Sequence, residues 1–315
     1  MKQAILILAH NNWELLDRLI NFFEPELFDI YVHIDKKAFK SFKHSEINQQ
    51  KAHASFFSSV SVKWGDYSQV KAELALFSRA FNRNKYSYYH LLSGVDFPLK
   101  NSKDIFAFFE KNYPQNFIEF SYLEKKRFET KDELLDQLTN SKETKLIDSH
   151  HIKYYRPFQG INFFSRSSLG YKLNDVAVRL QKLMGINRLK KAEIHFAKGS
   201  NWVSFTDQFV AHLLIEKEQE YLNRSYKFTF GSDEVYKQTI FLNSEFVETI
   251  YFDETIGNQS NLRVIDWNRG MPFTFFNENL EEIKHLVEEE KYLFIRKLDQ
   301  DKSSDLIDYL NNQMN

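Results

Sequence analysis

The strongest constraint in this chain is a repeated switch of hydrophobic period. Ala4 to Ala9 is apolar without interruption. Asn11-Asn12 then stand before Trp13, Leu15, Leu16, Leu19, Ile20 and Phe23, which recur at helical spacing. An unbroken apolar run of this length reads as a strand buried on both faces, and the 3.6-residue period after it as a helix with Asn as its cap. The unit repeats. Ile30 to Ile34 reads as a second strand. Val60 to Trp64 reads as a third, followed by a helix carrying Val70, Leu74, Phe77 and Phe81. Tyr86 to Leu92 reads as a fourth strand, Ser102 to Lys111 as a helix, and Phe117 to Phe120 as a fifth strand. Strands alternating with helices imply a Rossmann-like α/β fold: a mostly parallel central sheet with helices on both faces.

In such sheets ligands bind beyond the carboxyl ends of the strands. This chain places His10-Asn11, Asp35, Trp64 to Ser68, and Ser93 to Asp96 there. Each group alone is an ordinary turn or cap. Four successive strand ends furnished in this way mark a site.

Composition removes several classes. The net charge of −1, with 27% charged residues, gives no global basic field for nucleic acid. The absence of cysteine excludes a disulfide framework, a thiolate metal site and a cysteine nucleophile. Hydrophobic residues at 43%, including 31 Phe and 16 Tyr, suit a packed core, and 315 residues suffice for one large domain. No apolar run approaches the length of a membrane span. The expectation is a cytoplasmic protein, in contact with the inner face of the membrane at most peripherally. Its single domain reads as a nucleotide-binding half (1–120), an irregular excursion (121–195) and a catalytic C-terminal half (196–315). The excursion, rich in Lys, Glu and Tyr, holds the basic aromatic cluster His150 to Arg156; a mobile acceptor-binding segment and plain irregular surface are both open.

No Gly-x-Gly-x-x-Gly, phosphate loop or Gly-x-Ser-x-Gly elbow occurs. His33 and Asp35 would face the same side of a strand but have no further ligand nearby, and Asp299-Gln-Asp301 reads as a metal-binding pair or a solvated turn. Arg296-Lys297, set in an apolar run, is a surface pair or a cation for an anionic leaving group. In Phe228-Thr-Phe-Gly-Ser-Asp-Glu-Val, Ser232 is a good helix N-cap and Asp233-Glu234 suit a first helical turn. Spacing alone does not separate capping from catalysis there.

The ordered series does. Ile5 to Asn12 with Leu15 to Leu19, Ile30 to Lys37, Trp64 to Leu74, and Tyr89 to Lys100 are followed by Gly199 to Trp202, Asp233-Glu234, Arg263 to Trp267, and Phe294 to Lys297. Together they resemble the core-2/I-branching N-acetylglucosaminyltransferase family, which also contains the peptide O-xylosyltransferases, over nearly the whole chain except about 121–195. The resemblance implies a GT-A-type fold and an inverting, metal-independent transferase with no cofactor. It would move a sugar from a UDP-sugar donor to a hydroxyl of a glycan acceptor, lipid-linked or oligosaccharide, in bacterial surface polysaccharide synthesis. The expected sugar is N-acetylglucosamine and the expected linkage β, 1,6 in the branching members. Carried over by position, Glu234 is the catalytic base. His10, Asp35, Trp64, Ser68, Asp96, Arg296 and Lys297 bind the donor, and Glu119, Ser200, Trp202 and Trp267 the acceptor, while Asp233 stays structural. One departure stands out: the family's arginine partner for the lysine is missing from Met271 to Phe276, leaving Arg296, Arg269 or Arg263 for that charge. The alternatives are a metal-dependent or UDP-xylose-type transferase, and a non-catalytic carbohydrate-binding protein.

Overall fold

The computed structural model describes residues 1–42, 54–121, 128–140, 153–158, 168–188, 195–215, 220, 226–255 and 259–313. Its strands are β1 (Gln3–Ala9), β2 (Phe28–Ile34), β3 (Ala54–Phe57), β4 (Tyr88–Ser93), β5 (Asp96–Pro98), β6 (Ser204–Thr206), β7 (Arg263–Ile265) and β8 (Phe294–Arg296). They form a five-stranded sheet in the order β3-β2-β1-β4-β6 and a small sheet in the order β5-β8-β7. In the large sheet β1 to β4 pair in parallel and β6 joins antiparallel at the edge. The helices are α1 (Trp13–Phe22), α2 (Ser68–Arg83), α3 (Ser102–Lys111), α4 (Lys131–Asn140), α5 (Leu169–Leu183), α6 (Asp207–Leu213), α7 (Tyr236–Leu242), α8 (Leu280–Glu288) and α9 (Ser304–Gln313).

The unbroken apolar run of β1 is explained by burial on both faces. Ala4, Leu6 and Leu8 enter a core with Val70 and Phe77 of α2, Phe209 of α6 and Phe241 of α7. The alternate residues Ile5, Ile7 and Ala9 enter a second core with Leu15 of α1, Phe109 of α3, Ile283 of α8 and Leu306 of α9. A strand with no wet face needs apolar residues at every position, and each fully buried aliphatic side chain contributes about 1.5–3 kcal/mol.

Several local expectations change. Val60 to Trp64 is not a strand; the third strand is β3, four half-buried residues earlier in the chain. Beyond Phe57 the chain leaves the ladder because side chains of β2 and its exit take its amides. His33 Nε2 accepts from Ser59 and Val60 at 3.3 and 3.2 Å, and Asp35 Oδ1 accepts from Val62 at 3.3 Å. Phe117 to Phe120 is not a strand either: Phe117 makes only an isolated bridge to Ser204. Asn12 does precede α1, but in the left-handed conformation (φ 55°) and with no side-chain cap; Asn tolerates that region better than most residues. The buried face of α2 is turned from the expected one. It carries Val70, Glu73, Leu76, Phe77 and Ala80, and leaves Phe81 exposed. A charged residue inside the stripe defeats a purely apolar reading.

The middle segment holds two helices, α4 and α5, where no periodicity was evident. The inward face of α5 is small and polar (Gly170, Asn174, Val178, Gln181), so its pattern is the reverse of an amphipathic surface helix. Gln181 accepts from the Tyr155 amide and donates to the Tyr155 carbonyl, both at 2.8 Å, and Asn174 accepts from Phe158 at 3.1 Å. Of the basic aromatic cluster, residues 150–152 lie outside the described residues. Of its remainder, Tyr154 and Arg156 are buried and Tyr155 is exposed.

Candidate active site

Sheet register assembles the residues expected at the donor. The amide of Asp35 donates to Ala9 O and that of Gly94 to Leu8 O, both at 2.9 Å, so the exits of β2 and β4 are fastened to the end of β1. In the small sheet Asp96 lies opposite Arg296 on β8, and Ile265 of β7 lies on the other side of Arg296. The Arg296 guanidinium donates to Asp96 Oδ1 at 2.7 Å and stacks 4.3 Å from the centroid of the Trp202 ring. The Ser93 amide donates to Asp96 Oδ2 at 2.8 Å. Burial pushes the Asp96 carboxyl up, and Arg296 and the Ser93 amide oppose that shift. His10 stands at the same edge, within electrostatic reach of Asp35, Arg296 and Lys37. Desolvation lowers its pKa, Asp35 opposes this, and the two cations add to it. The structure thus brings together His10, Asp35, Asp96, Trp202 and Arg296. Lys297 follows Arg296 directly, through a cis peptide bond, and Trp267 lies two residues past Ile265, 47% exposed.

Of the three arginines left to stand beside Lys297, Arg296 is the one that donates to Asp96. Arg263 is buried under the sheet, where it donates to Val203 O at 2.8 Å and to Ser204 Oγ at 3.1 Å. Arg269 is tied on the surface to Asp266 and Glu282 and lies over Phe273.

Asp35 and Ser68 also shape their loops. Asp35 Oδ1 accepts from the Lys37 amide at 2.9 Å, and the Ser68 hydroxyl accepts from the Lys63 amide at 2.8 Å. Between them Trp64 is 64% exposed, edge-on to Phe230 at 5.3 Å. Gly65 adopts φ +69°, and a Cβ there would lie 2.3 Å from the Phe230 ring. Its carbonyl accepts from the Gly231 amide at 2.9 Å. Only glycine permits that approach, which fastens the loop after β3 to the turn bearing the acidic pair. Beside this junction is a pocket of about 210 Å³ lined by Asp66, Tyr67, Ser68, Lys71, Arg156, Pro157, Lys227 and Phe228.

The acidic pair is not in the first turn of a helix capped by Ser232. Ser232–Glu234 form a 3-10 turn entered through Gly231 (φ 65°), and α7 starts at Tyr236. The Ser232 hydroxyl is buried and makes no hydrogen bond. Glu234 is held at both ends of its peptide: its amide donates to Gly231 O at 3.1 Å, and its carbonyl accepts from Gly199 at 2.9 Å. A Cβ on Gly199 would sit 1.7 Å from the carbonyl oxygen of Glu119, so glycine is required for this contact as well. The Glu234 carboxylate remains 35% exposed, 3.2 Å from the Lys198 ammonium.

Beneath the turn is a wholly buried ion pair. Lys237 Nζ meets Glu73 Oε2 at 2.5 Å, donates to Asp233 O at 3.0 Å and also donates to Asn201; the Tyr236 hydroxyl donates to Glu73 Oε2 at 2.7 Å. Together these bonds tie α2, the turn and the Ser200–Trp202 segment into one unit. Asp233 is pushed up to about 8, first by burial and then by the charges of Glu234 and Glu73, with Lys237 opposing. A folded-state pKa above the unfolded value adds stability that is complete below the unfolded pKa and is lost as pH rises through the folded one. Asp233→Asn is therefore expected to flatten the decline in thermal midpoint between about pH 4 and pH 8. A variant whose midpoint falls as steeply as the wild type over that range would refute the raised pKa of Asp233.

Of the residues expected at the acceptor, Glu119 Oε2 accepts from Asn261 at 2.8 Å and Ser200 O accepts from Gln238 at 2.6 Å, whereas Trp202 lies against the Arg296 guanidinium, among the residues expected at the donor. Among the described residues no group of three His, Asp or Glu side chains could hold a metal ion. His33, the candidate ligand beside Asp35, spends Nε2 on two backbone amides. Asp299 Oδ1 accepts from the amides of Asp301 and Lys302 at 3.2 Å, which makes that pair a turn at the entrance to α9. Sequence reading missed Glu73, Lys237, Asn201 and Lys198. Lys237, one helical turn after Asp233, was the available signal, but its partner Glu73 is 164 residues away.

A parallel sheet whose strand ends gather polar and cationic groups, with a carboxylate on a rigid turn nearby in the fold, has the layout of a ligand-binding enzyme site. The model of the Core-2/I-Branching enzyme family matches residues 4–287; the chain belongs to that family and is a glycosyltransferase, with the expected α/β fold around a mostly parallel central sheet. A crystal structure of S. aureus TarS 1–349 in complex with UDP-GlcNAc is similar at 15% identity over 38% of this chain and 34% of that chain, with a TM-score of 0.28. The match spans about a third of TarS 1–349.

Proposed function

We propose that this glycosyltransferase transfers N-acetylglucosamine from UDP-N-acetylglucosamine to a hydroxyl of a glycan acceptor with inversion, forming a β linkage, without a metal. The observation that carries the reading is the Glu234 carboxylate, half-open to solvent on a turn fixed by Gly199 and by the buried Glu73–Lys237 pair. Glu234 takes the proton of the acceptor hydroxyl as that oxygen bonds to C1 of the sugar. The bond from C1 to the β-phosphate oxygen breaks on the opposite face, and its electron pair leaves with UDP. Arg296 and Lys297 compensate the charge that develops on the diphosphate, and Asp96 with Trp202 orients the guanidinium. His10, Asp35, Trp64 and Ser68 frame the nucleotide. Glu119, Ser200 and Trp267 frame the acceptor, and Trp267, exposed and flat, suits stacking on a sugar ring.

The family membership supports a UDP-sugar donor and a glycan acceptor. No helix among the described residues is long and apolar enough to cross a membrane. The place of action in this reading is the cytoplasmic side, in surface polysaccharide synthesis. Incubation with UDP-N-acetylglucosamine and an acceptor panel is expected to release UDP equally with and without EDTA. The product should show a β-anomeric proton by NMR, and Lys297→Ala should slow release by on the order of 10²-fold. Manganese-dependent activity or an α-linked product would overturn the mechanism. UDP-xylose as the sole donor would replace only the sugar.

A further inference from the structure

Helix α5 is built inside out. Its inward face is Gly170, Asn174, Val178 and Gln181, while Leu169, Val176, Leu180 and Leu183 are 61%, 54%, 53% and 84% exposed, and Met184, just past its end, is 66% exposed. Leu169, Leu173, Val176, Leu180 and Leu183 follow one another at alternating steps of four and three, so they form one stripe opposite the polar face that holds Tyr155 and Phe158. A monomeric soluble protein rarely leaves such a stripe in water.

The flank of the stripe indicates what covers it. Lys172, Arg179 and Lys182 are exposed along α5, and the one acid among them, Asp175, is already paired with Arg179 at 2.8 Å. Two such helices from separate copies would bring like charges together along the seam, whereas a negatively charged surface would complement them. An exposed apolar stripe bordered by cations is the pattern of a helix lying in the plane of a lipid–water interface.

We propose that α5 docks this enzyme on an anionic lipid bilayer, with Leu169, Val176, Leu180 and Leu183 entering the interface and Lys172, Arg179 and Lys182 contacting the headgroups. The helix is tied to the active site by a short route. Gln181 and Asn174 hold residues 155–158, and Arg156 of that stretch donates its amide to Phe228 O at 2.9 Å, at the rim of the pocket and three residues before Gly231. Docking would set that pocket close to the membrane surface.

Co-sedimentation with phosphatidylcholine vesicles, with and without phosphatidylglycerol, tests this. The wild-type protein is expected to pellet with the anionic vesicles, and salt should weaken the binding. Leu180→Gln/Leu183→Gln and Lys172→Glu/Arg179→Glu should each weaken it by about tenfold or more. UDP affinity, measured by calorimetry on the same preparations, should match the wild type. This holds whatever becomes of Glu234, so failure of docking and failure of the proposed chemistry are separable. Equal binding to neutral and anionic vesicles, or no effect of either double variant, would overturn the proposal. So would a dimer in light scattering that Leu180→Gln/Leu183→Gln dissolves, which would assign the stripe to a second copy.

Discussion

Glu234→Gln is expected to lower kcat by roughly 10²–10⁴-fold while leaving UDP affinity at the wild-type value. The amide keeps the shape of the side chain, and the backbone bonds to Gly231 and Gly199 that set the turn do not involve it. What is lost is the ability to accept a proton, together with the ion pair to Lys198. Because the carboxylate would act only as the new bond forms, the loss should appear in single-turnover rates and not in donor binding. A turnover within about tenfold of wild type, measured as acceptor-dependent UDP release, would remove Glu234 from the role of base.

The second large effect is expected in stability. Lys237→Met leaves the Glu73 carboxylate wholly buried with only the Tyr236 hydroxyl and Gln69 for partners, and leaves Asn201 without its donor. Removing one member of a buried pair costs about 3–5 kcal/mol, because the remaining charge is neither solvated nor matched. Urea unfolding should show a loss in that range, and Glu73→Gln/Lys237→Met should recover part of it, since no charge then remains inside. A single variant that loses less than about 1 kcal/mol would show that the pair does not set the turn. If the cluster does position Glu234, the single variant should also lower kcat at temperatures where it remains folded.

How much of this was legible depended on the range of the interaction concerned. β1 could be read directly because a strand buried on both faces must be apolar at every position, and α3 because Asn101, Asp104 and the apolar spacing from Ile105 are local signals. The third strand was misplaced by several residues because His33 and Asp35, in another strand and its exit, capture the amides of residues 59–62. Helix α5 was hidden because its buried face is polar, and α2 was read with the wrong face because Glu73 is inside.

The same division holds at the site. The order of motifs along the chain was enough to indicate the family, since that order is a property of residue type and spacing, and the resemblance put Glu234 forward as the base. That the acidic pair sits in a 3-10 turn and not in a helix turn capped by Ser232 was decided by the tertiary structure. Ser232 makes no cap, the turn is fastened to Gly65 and Gly199 from two distant segments, and Lys237 reaches back to Glu73. The pairing of Arg296 with Asp96, 200 residues away, was likewise made by sheet register, which sets the two opposite each other. The sequence by itself determined the local periods and the chemistry of each residue. Only the tertiary structure decided which charges are buried, paired or open, because burial and pairing depend on segments that meet only after the chain has folded.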